Sequence, residues 1–326
     1  MGRDLLAWVS RHLASRIPRM LVYHRFGPAG SATTPQGFER QLRHLKEHFN
    51  AIHQNRLIDG LCGRDRLPSN SVVLTVDDGY ADFYNVAFPL LRRYQIPCTF
   101  FVTTHFIGGR KWLWPDKITW MLAEREQFPD LEVTNEVIPG GDRTNASRLW
   151  TQILVRLQKI DSDQVDANLD DVARQLGLVI PDQPVAEFAP CSWDQLAEME
   201  ASGVVEIGGH TRNHPILSRL RPEKLPDEID GCLEDINSNL GKRPRSFCYP
   251  NGKPADFNEV VRQAVVKSGF VSACTAFYDD HHLKDRFTLR RFSASDDIRQ
   301  FHKATTGLQY WGARILGRDN RDDVGS

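Results

Sequence analysis

Apolar positions along the chain fall into two alternating kinds of segment. Short runs rich in β-branched and aromatic residues occupy 19–24 (RMLVYH), 71–78 (SVVLTVDD), 97–103, 203–210 (GVVEIGGH), 246–250, 269–275 and 287–293 (FTLRRFS). Most lack a polar alternate, so they read as strands buried on both faces. Between most of them lie longer stretches with apolar residues at helical spacing, at 36–49, 82–95, 223–240 and 256–268. Strands alternating with helices predict a parallel α/β sheet, and seven strands favour a (β/α) barrel over an open sheet. The alternation fails between about 105 and 190, where WLWPDKITWMLAE and ASRLWTQILVRLQKI are helical and no strong strand stands out. This predicts a barrel formed by 1–110 and 190–326, with a helical insertion at 111–189 on one barrel loop that opens on Trp112, Trp114 and Trp120.

Composition narrows the function classes. The 326 residues carry 41 basic and 42 acidic side chains, a formal net charge of -1, which gives no basic footprint for nucleic acid. Cys62, Cys98, Cys191, Cys232, Cys248 and Cys274 include no C-x-x-C pair and read as reduced thiols in a reducing, cytoplasmic compartment. The first twenty residues place Leu5, Leu6, Trp8, Val9, Leu13 and Ile17 at roughly helical spacing, interrupted by Arg3, Asp4, Arg11 and Arg16. That pattern fits neither a signal peptide nor a transmembrane span. It fits a short amphipathic helix, either making peripheral contact with a membrane or partner or packed on its own domain.

Chemistry concentrates at strand ends. The run SVVLTVDDG closes on Asp77, Asp78 and Gly79. An Asp-Gly turn is the simplest account, but two adjacent carboxylates at the end of a buried strand need compensation. A second strand ends at His210, and His214 follows four residues later; a helical turn there would put both imidazoles on one face. His24 ends a third strand. In a β/α barrel the C-terminal strand ends share one rim, so these residues converge. Two histidines and one carboxylate make a site suited to zinc, cobalt, nickel or iron, leaving the other aspartate free to act on water.

Together TVDDGY, HTRNHP and CYPNG resemble the first three motifs of the polysaccharide deacetylase family, also called the NodB homology domain or carbohydrate esterase family 4; the likeness spans roughly 19–110 and 190–295. The resemblance implies a distorted (β/α) barrel and hydrolysis of an N-acyl group, usually acetyl, from an amino sugar, with a divalent transition metal, zinc foremost. It implies Asp77 as general base, Asp78, His210 and His214 as metal ligands, and the Asn251 backbone N–H as an oxyanion donor. The family's third motif carries an arginine where Cys248 stands, and its late histidine acid is absent from TLRRF. The subgroup with a Phe-x-Tyr-Pro third motif, associated with polysaccharide or glycolipid assembly, places its arginine at Arg291. His24 is the candidate general acid by position, with a satisfied core histidine as the alternative. Trp112 and Trp114 suit stacking on a sugar or covering the site rim, as well as plain helix packing. Non-haem iron oxygenases also use two histidines and a carboxylate, but on an all-β barrel that this alternation does not match. A degenerate sugar-binding domain of the same fold is the remaining alternative, motivated by the two departures from the motifs.

Overall fold

The computed structural model describes residues 12, 14–27, 33–123, 125–278 and 283–306; the amphipathic helix expected at the N-terminus lies largely outside them. All seven expected strands are present: β1 Arg19–Tyr23, β2 Ser71–Val76, β3 Cys98–Val102, β4 Val205–Gly209, β5 Ser246–Cys248, β6 Ser272–Cys274 and β7 Phe292–Ser293. They pair in parallel in the order β6-β5-β4-β3-β2-β1-β7, and the two-residue strand Asn50–Ala51 adds to the start of β2. The last segment joins the two edges of the sheet. Leu289 bridges Cys274 of β6, and three residues later Phe292 pairs with Leu21 of β1. The sheet therefore curls into a distorted barrel with strand 287–293 divided between two neighbours.

Strand periodicity explains why these runs are apolar throughout. Leu21, Tyr23, Leu74, Val76, Phe100 and Val102 point outward, into one cluster with helices α1 (Pro35–His48) and α3 (Phe88–Tyr94). Met20, Val73, Phe101, Cys248, Cys274 and Leu289 point inward, where Leu57 and Ile58 of α2 (Gln54–Leu61) cover the N-terminal mouth. Each strand thus buries both faces. Local signals set the helix starts: Thr34 accepts the Gly37 N–H at 3.0 Å ahead of Pro35 in α1, as an N-cap followed by proline should. No helix among the described residues is long and apolar enough to cross a membrane.

Between β3 and β4 lies the insertion, with helices α4 (Trp114–Leu122), α5 (Ala146–Leu157) and α6 (Val165–Gln175) around their own apolar cluster of Ile118, Met121, Leu149, Ile153, Leu169 and Val172. The sequence predicts a helical insertion, but it also contains strands. Two antiparallel ladders separate α4 from α5: Gln127–Phe128 with Gly141–Asp142, and Leu131–Val133 with Glu136–Ile138. The second turns on Thr134 and Asn135, both at positive φ (56° and 62°), the geometry of a two-residue hairpin loop. Its three-residue strands are too short for periodicity to reveal. Trp112 and Trp114 are only 2% and 6% exposed; Trp112 packs against Trp120 and Phe188, so neither ring is an open stacking platform.

One polar contact ties the insertion to the barrel. The Tyr80 hydroxyl donates to both carboxylate oxygens of Asp116 in α4, at 2.9 and 2.8 Å, while the Arg25 guanidinium lies 4.1 Å over the Tyr80 ring and donates to Asp82. Burial pushes the Asp116 carboxyl up to about 7, with Asp78 and Glu187 adding repulsion and the Tyr80 and Arg25 contacts opposing it. A carboxyl whose folded pKa is raised binds more protons folded than unfolded, so its contribution to stability is full below the unfolded value and is lost as pH climbs towards the folded one. Asp116→Asn should therefore gain stability relative to the wild type between pH 5 and pH 8, read from urea unfolding at each pH. Parallel stability curves for the two proteins would show that Asp116 is not held neutral.

Candidate active site

Parallel strands bring their C-terminal ends to one rim, and the polar residues expected there do meet. His24 follows β1, Asp77 and Asp78 follow β2, His210 follows β4, Asn251 lies just beyond β5 and Arg291 precedes β7. All of these but Arg291, which lies behind Asp77, line with Tyr80, His214 and Tyr249 a cavity of about 170 Å³ whose outer wall is Leu113 and Pro115 of the insertion. The rim position expected for Trp112 and Trp114 is thus held by their alternating neighbours.

Asp77 is buried, and Arg291 grips it with two bonds: Nη1 donates to Oδ1 and Nη2 to Oδ2, each at 2.7 Å. Arg291 is 1% exposed, and the rest of its guanidinium is also satisfied. Nε donates to the Thr275 carbonyl at 2.7 Å, Nη1 also to Thr75 Oγ1 at 2.9 Å, and Nη2 lies 3.0 Å from Cys248 Sγ. The strand phase follows from this. Leu289 and Arg291 face inward, while Arg290 turns out over the Phe277 ring at 4.2 Å. Burial alone would raise the Asp77 carboxyl, but the Arg291 charge and hydrogen bonds outweigh it and hold Asp77 below the usual carboxylate range. Burial pushes the neighbouring Cys248 thiol well up, keeping it protonated.

Asp78 faces the histidines. Its Oδ1 lies 3.4 Å from His210 Nε2 and 3.4 Å from His214 Nε2. His210 Nδ1 sits 2.8 Å from the Cys248 carbonyl, which assigns its proton to Nδ1 and leaves the Nε2 lone pair free. Burial lowers His214 to about 4, His210 adding to the shift, so its imidazole is neutral near pH 7. These three donors, all buried and within 4.8 Å of one another, fit a divalent transition metal in both chemistry and spacing. Asp77, His210 and Cys248 form a second such cluster, but a protonated thiol and a carboxylate already clasped by arginine make it the poorer donor set.

The spacing of the histidines predicts a helical turn, but they converge without one. Residues 210–214 form a non-helical turn in which Thr211 and His214 take positive φ (67° and 57°), and the His214 N–H is held by Thr211 Oγ1 at 2.9 Å. Asp78 is also at positive φ, 83°, as is Gly79 at 118°, where a Cβ would stand 2.7 Å from Ile107. Non-glycine residues in this region cost of order 1–3 kcal/mol each and persist where the surroundings impose them. Asn251 is a fourth, at 56°, and among the described residues its backbone N–H has no acceptor. His24 is not a core histidine: its side chain is half exposed, with Nε2 3.8 Å from Asp77 Oδ2. Thr75 and Tyr80 lie inside TVDDGY but the motif assigns them no role, although Thr75, two before Asp77, shares its face; Thr275 and Asp116 lie outside the quoted motifs.

Comparison with known proteins gives this geometry its context. A family model described as polysaccharide deacetylase matches residues 64–131 and 158–273, more than half of the chain. The chain is 29% identical over 109 residues to YxkH of Bacillus subtilis (strain 168), which carries a polysaccharide deacetylase name, covering 33% of this chain and 39% of that one. It is 32% identical over 78 residues to a poly-beta-1,6-N-acetyl-D-glucosamine N-deacetylase of Staphylococcus epidermidis, covering 24% of this chain and 27% of that one. The chain thus aligns with well under half the length of these relatives. Among solved structures, IcaB from Ammonifex degensii superposes with a TM-score of 0.59 at 21% identity over 89% of this chain and 97% of that one. The Streptococcus pyogenes deacetylase PplD superposes with a TM-score of 0.57 at 17% identity over 88% and 96%; at these identities both likenesses speak for the fold. With the model match spanning both halves of the barrel, the chain belongs to the polysaccharide deacetylase family.

Proposed function

We propose that the chain is a metal-dependent hydrolase that removes an N-acyl group, acetyl foremost, from an amino sugar of a polysaccharide or glycolipid intermediate. The observation that carries this reading is the cluster of Asp78, His210 and His214 beside a second, separately held carboxylate, Asp77. Family membership and the N-deacetylase name of the Staphylococcus epidermidis relative support it. The six cysteines, all free and five of them buried, suit a reducing compartment such as the cytoplasm.

Asp78, His210 and His214 would hold the metal, zinc foremost, with cobalt, nickel or iron as other fits. Such an ion supplies Lewis acidity and lowers the pKa of water towards about 7. Asp77 accepts the proton from the attacking water. Each of its oxygens has two lone-pair sites, so it can do so while Arg291 fixes its plane. The Asn251 N–H donates to the oxygen of the acyl group as charge develops there, a contribution of about 3–4 kcal/mol for such donors. The departing amine needs a proton, and His24, half exposed at the cavity mouth, is placed to deliver it.

Metal-loaded protein incubated with free, nucleotide-linked and lipid-linked N-acetylated amino sugars should release acetate. Asp77→Asn should retain the metal yet lose about 10²–10⁴ in kcat; wild-type turnover in that variant would reduce Asp77 to a structural residue, and metal-loaded protein that bound these sugars but released no acetate from any would favour a sugar-binding domain. His210→Ala and His214→Ala should each drop bound metal from about one per chain to a small fraction while circular dichroism is preserved. Full metal retention in both would overturn the ligand assignment.

Arg291→Ala leaves Asp77 buried without its cation and should cost about 3–5 kcal/mol. In whatever activity remains, the acidic limb of kcat/KM should move to higher pH, because the largest influence opposing burial at Asp77 is then gone. Arg290→Ala removes the contact with the Phe277 ring and a bond to the Thr288 carbonyl, both away from Asp77, and should cost about 1–2 kcal/mol with no shift of the acidic limb. Equal damage from the two substitutions would contradict the inward role of Arg291.

A further inference from the structure

The loop that turns His214 towards Asp78 is built on a carboxylate that takes no part in the chemistry above. After β4 the chain lies against the helix Leu225–Leu240 at Glu228, Gly231 and Asp235, three positions of one helical face. Glu228 Oε2 accepts two successive backbone N–H groups, from Arg212 at 3.1 Å and from Asn213 at 2.9 Å, and Oε1 accepts the Asn213 side-chain amide at 2.7 Å. Glu228 is 7% exposed. The Arg212 guanidinium does not neutralise it, being taken by Asp235 through Nε and Nη2 and by Asp227 through Nη1. A buried carboxylate is costly unless donors converge on it, and here the donors are the loop itself. We infer that Glu228 is a positioning residue for the metal site, the fixed anion around which the loop closes so that His214 meets Asp78 and His210; this rests on the reading of those three residues as ligands.

Backbone accounting leaves this task to Glu228. Thr211 and His214 both take positive φ, which non-glycine residues keep only where the surroundings impose it. The turn after β3 grips one side of the loop through carbonyls. The Thr103 N–H donates to the Asp78 carbonyl at 3.0 Å and Thr103 Oγ1 to the His210 carbonyl at 3.1 Å. The Thr104 and His105 N–H groups donate to the carbonyls of Thr211 and Arg212, at 3.1 and 2.9 Å. The loop's own N–H groups must find acceptors elsewhere. That of His214 returns to Thr211 Oγ1, and those of Arg212 and Asn213 go to Glu228.

The helix face is shaped for this contact. A Cβ at Gly231 would collide with the Arg212 guanidinium, which crosses there to reach Asp235. Asp235 also accepts from Thr104 Oγ1 at 2.7 Å, so one face holds both the loop and the turn that grips it. Asn213 Oδ1 lies 3.0 Å from His105 Nδ1, which assigns the amide NH2 to Glu228.

Calorimetric titration of metal-free protein with cobalt(II) reads the site, and hydrogen exchange over residues 210–215 of the metal-free protein reads the loop. Glu228→Ala should weaken cobalt binding about 10–100-fold, the usual effect of losing a partner that orients a metal ligand. It should also speed exchange at the Arg212 and Asn213 amides while circular dichroism is preserved. Glu228→Gln keeps the side-chain length and one acceptor oxygen, and should fall between Glu228→Ala and the wild type in both readouts. Ile236→Val loosens the buried side of the same helix about two turns away and should leave both at wild-type values. Wild-type cobalt affinity in Glu228→Ala, or an equal loss in Ile236→Val, would overturn the positioning role. If Glu228→Ala does not fold, Glu228→Gln decides: weakened affinity with faster loop exchange upholds the role, and wild-type affinity overturns it. A wild type that binds no cobalt removes the ligand reading instead, and the exchange comparison alone then upholds or overturns the hold of Glu228 on the loop.

Discussion

A guanidinium sealed inside a barrel is tolerable only if a carboxylate meets it there, and the Arg291–Asp77 pair is the constraint on which the rest of this structure turns. Both groups are almost fully buried, and an unpaired charge in such a place costs several kcal/mol. The pair is satisfied because Arg291 also reaches Thr75 and the Thr275 carbonyl, so that β2, β6 and the final strand are tied at one level of the interior. That tie spans the junction where the last segment leaves Cys274 and joins Leu21. The closure of the barrel and the orientation of the proposed base are thus one interaction. A register slip of one residue in the last strand would send Arg291 outward and leave Asp77 alone, which gives a two-residue β7 a specificity that its few backbone hydrogen bonds could not.

Most of the barrel was legible because its strands obey a simple rule: two buried faces leave near-continuous apolar runs, and the first polar residue after each run marks the rim. His24, Asp77 and His210 follow that rule. Arg291 does not, because strand 287–293 alternates Leu289, Arg290, Arg291 and Phe292 with apolar residues on both faces, and only the inward position of Leu289 in the folded barrel fixes which arginine enters. His214 was legible as a spacing but not as a conformation. Three left-handed residues, Asp78, Thr211 and His214, are held by tertiary contacts rather than by local propensity. The short ladders of the insertion failed for a different reason, since three-residue strands turning on Thr134–Asn135 carry too few positions for a period to show.

The insertion also shows why a buried polar residue is hard to find from sequence. Asp116 stands in the first turn of α4, where an acidic residue needs no more explanation than the helix dipole. Only in the fold does it meet Tyr80, three positions beyond Asp77, and bring Leu113 and Pro115 over the cavity. The contact makes the roof of the site depend on a hydroxyl from the same turn that carries the two aspartates. Packing of the insertion core and geometry of the site are thereby coupled through one hydrogen-bonded pair.

The same reasoning accounts for Cys248, which stands where the third motif of the resemblance carries an arginine. An arginine at 248 and an arginine at 291 would point into the same interior level, since Cys248 Sγ already lies 3.0 Å from Arg291 Nη2 and 3.5 Å from Asp77 Oδ2. Two cations there would share one carboxylate in a medium where like charges repel strongly. One of the positions must therefore be small and neutral once the other carries the charge. A thiol meets that need: it fills the space left beside the guanidinium, stays protonated by burial, and gives Asp77 a weak donor in place of a second cation. Cysteine at 248 and arginine at 291 are then complementary: one cation, supplied from the last strand, fixes the carboxylate of the proposed base, and the neighbouring strand leaves room for it.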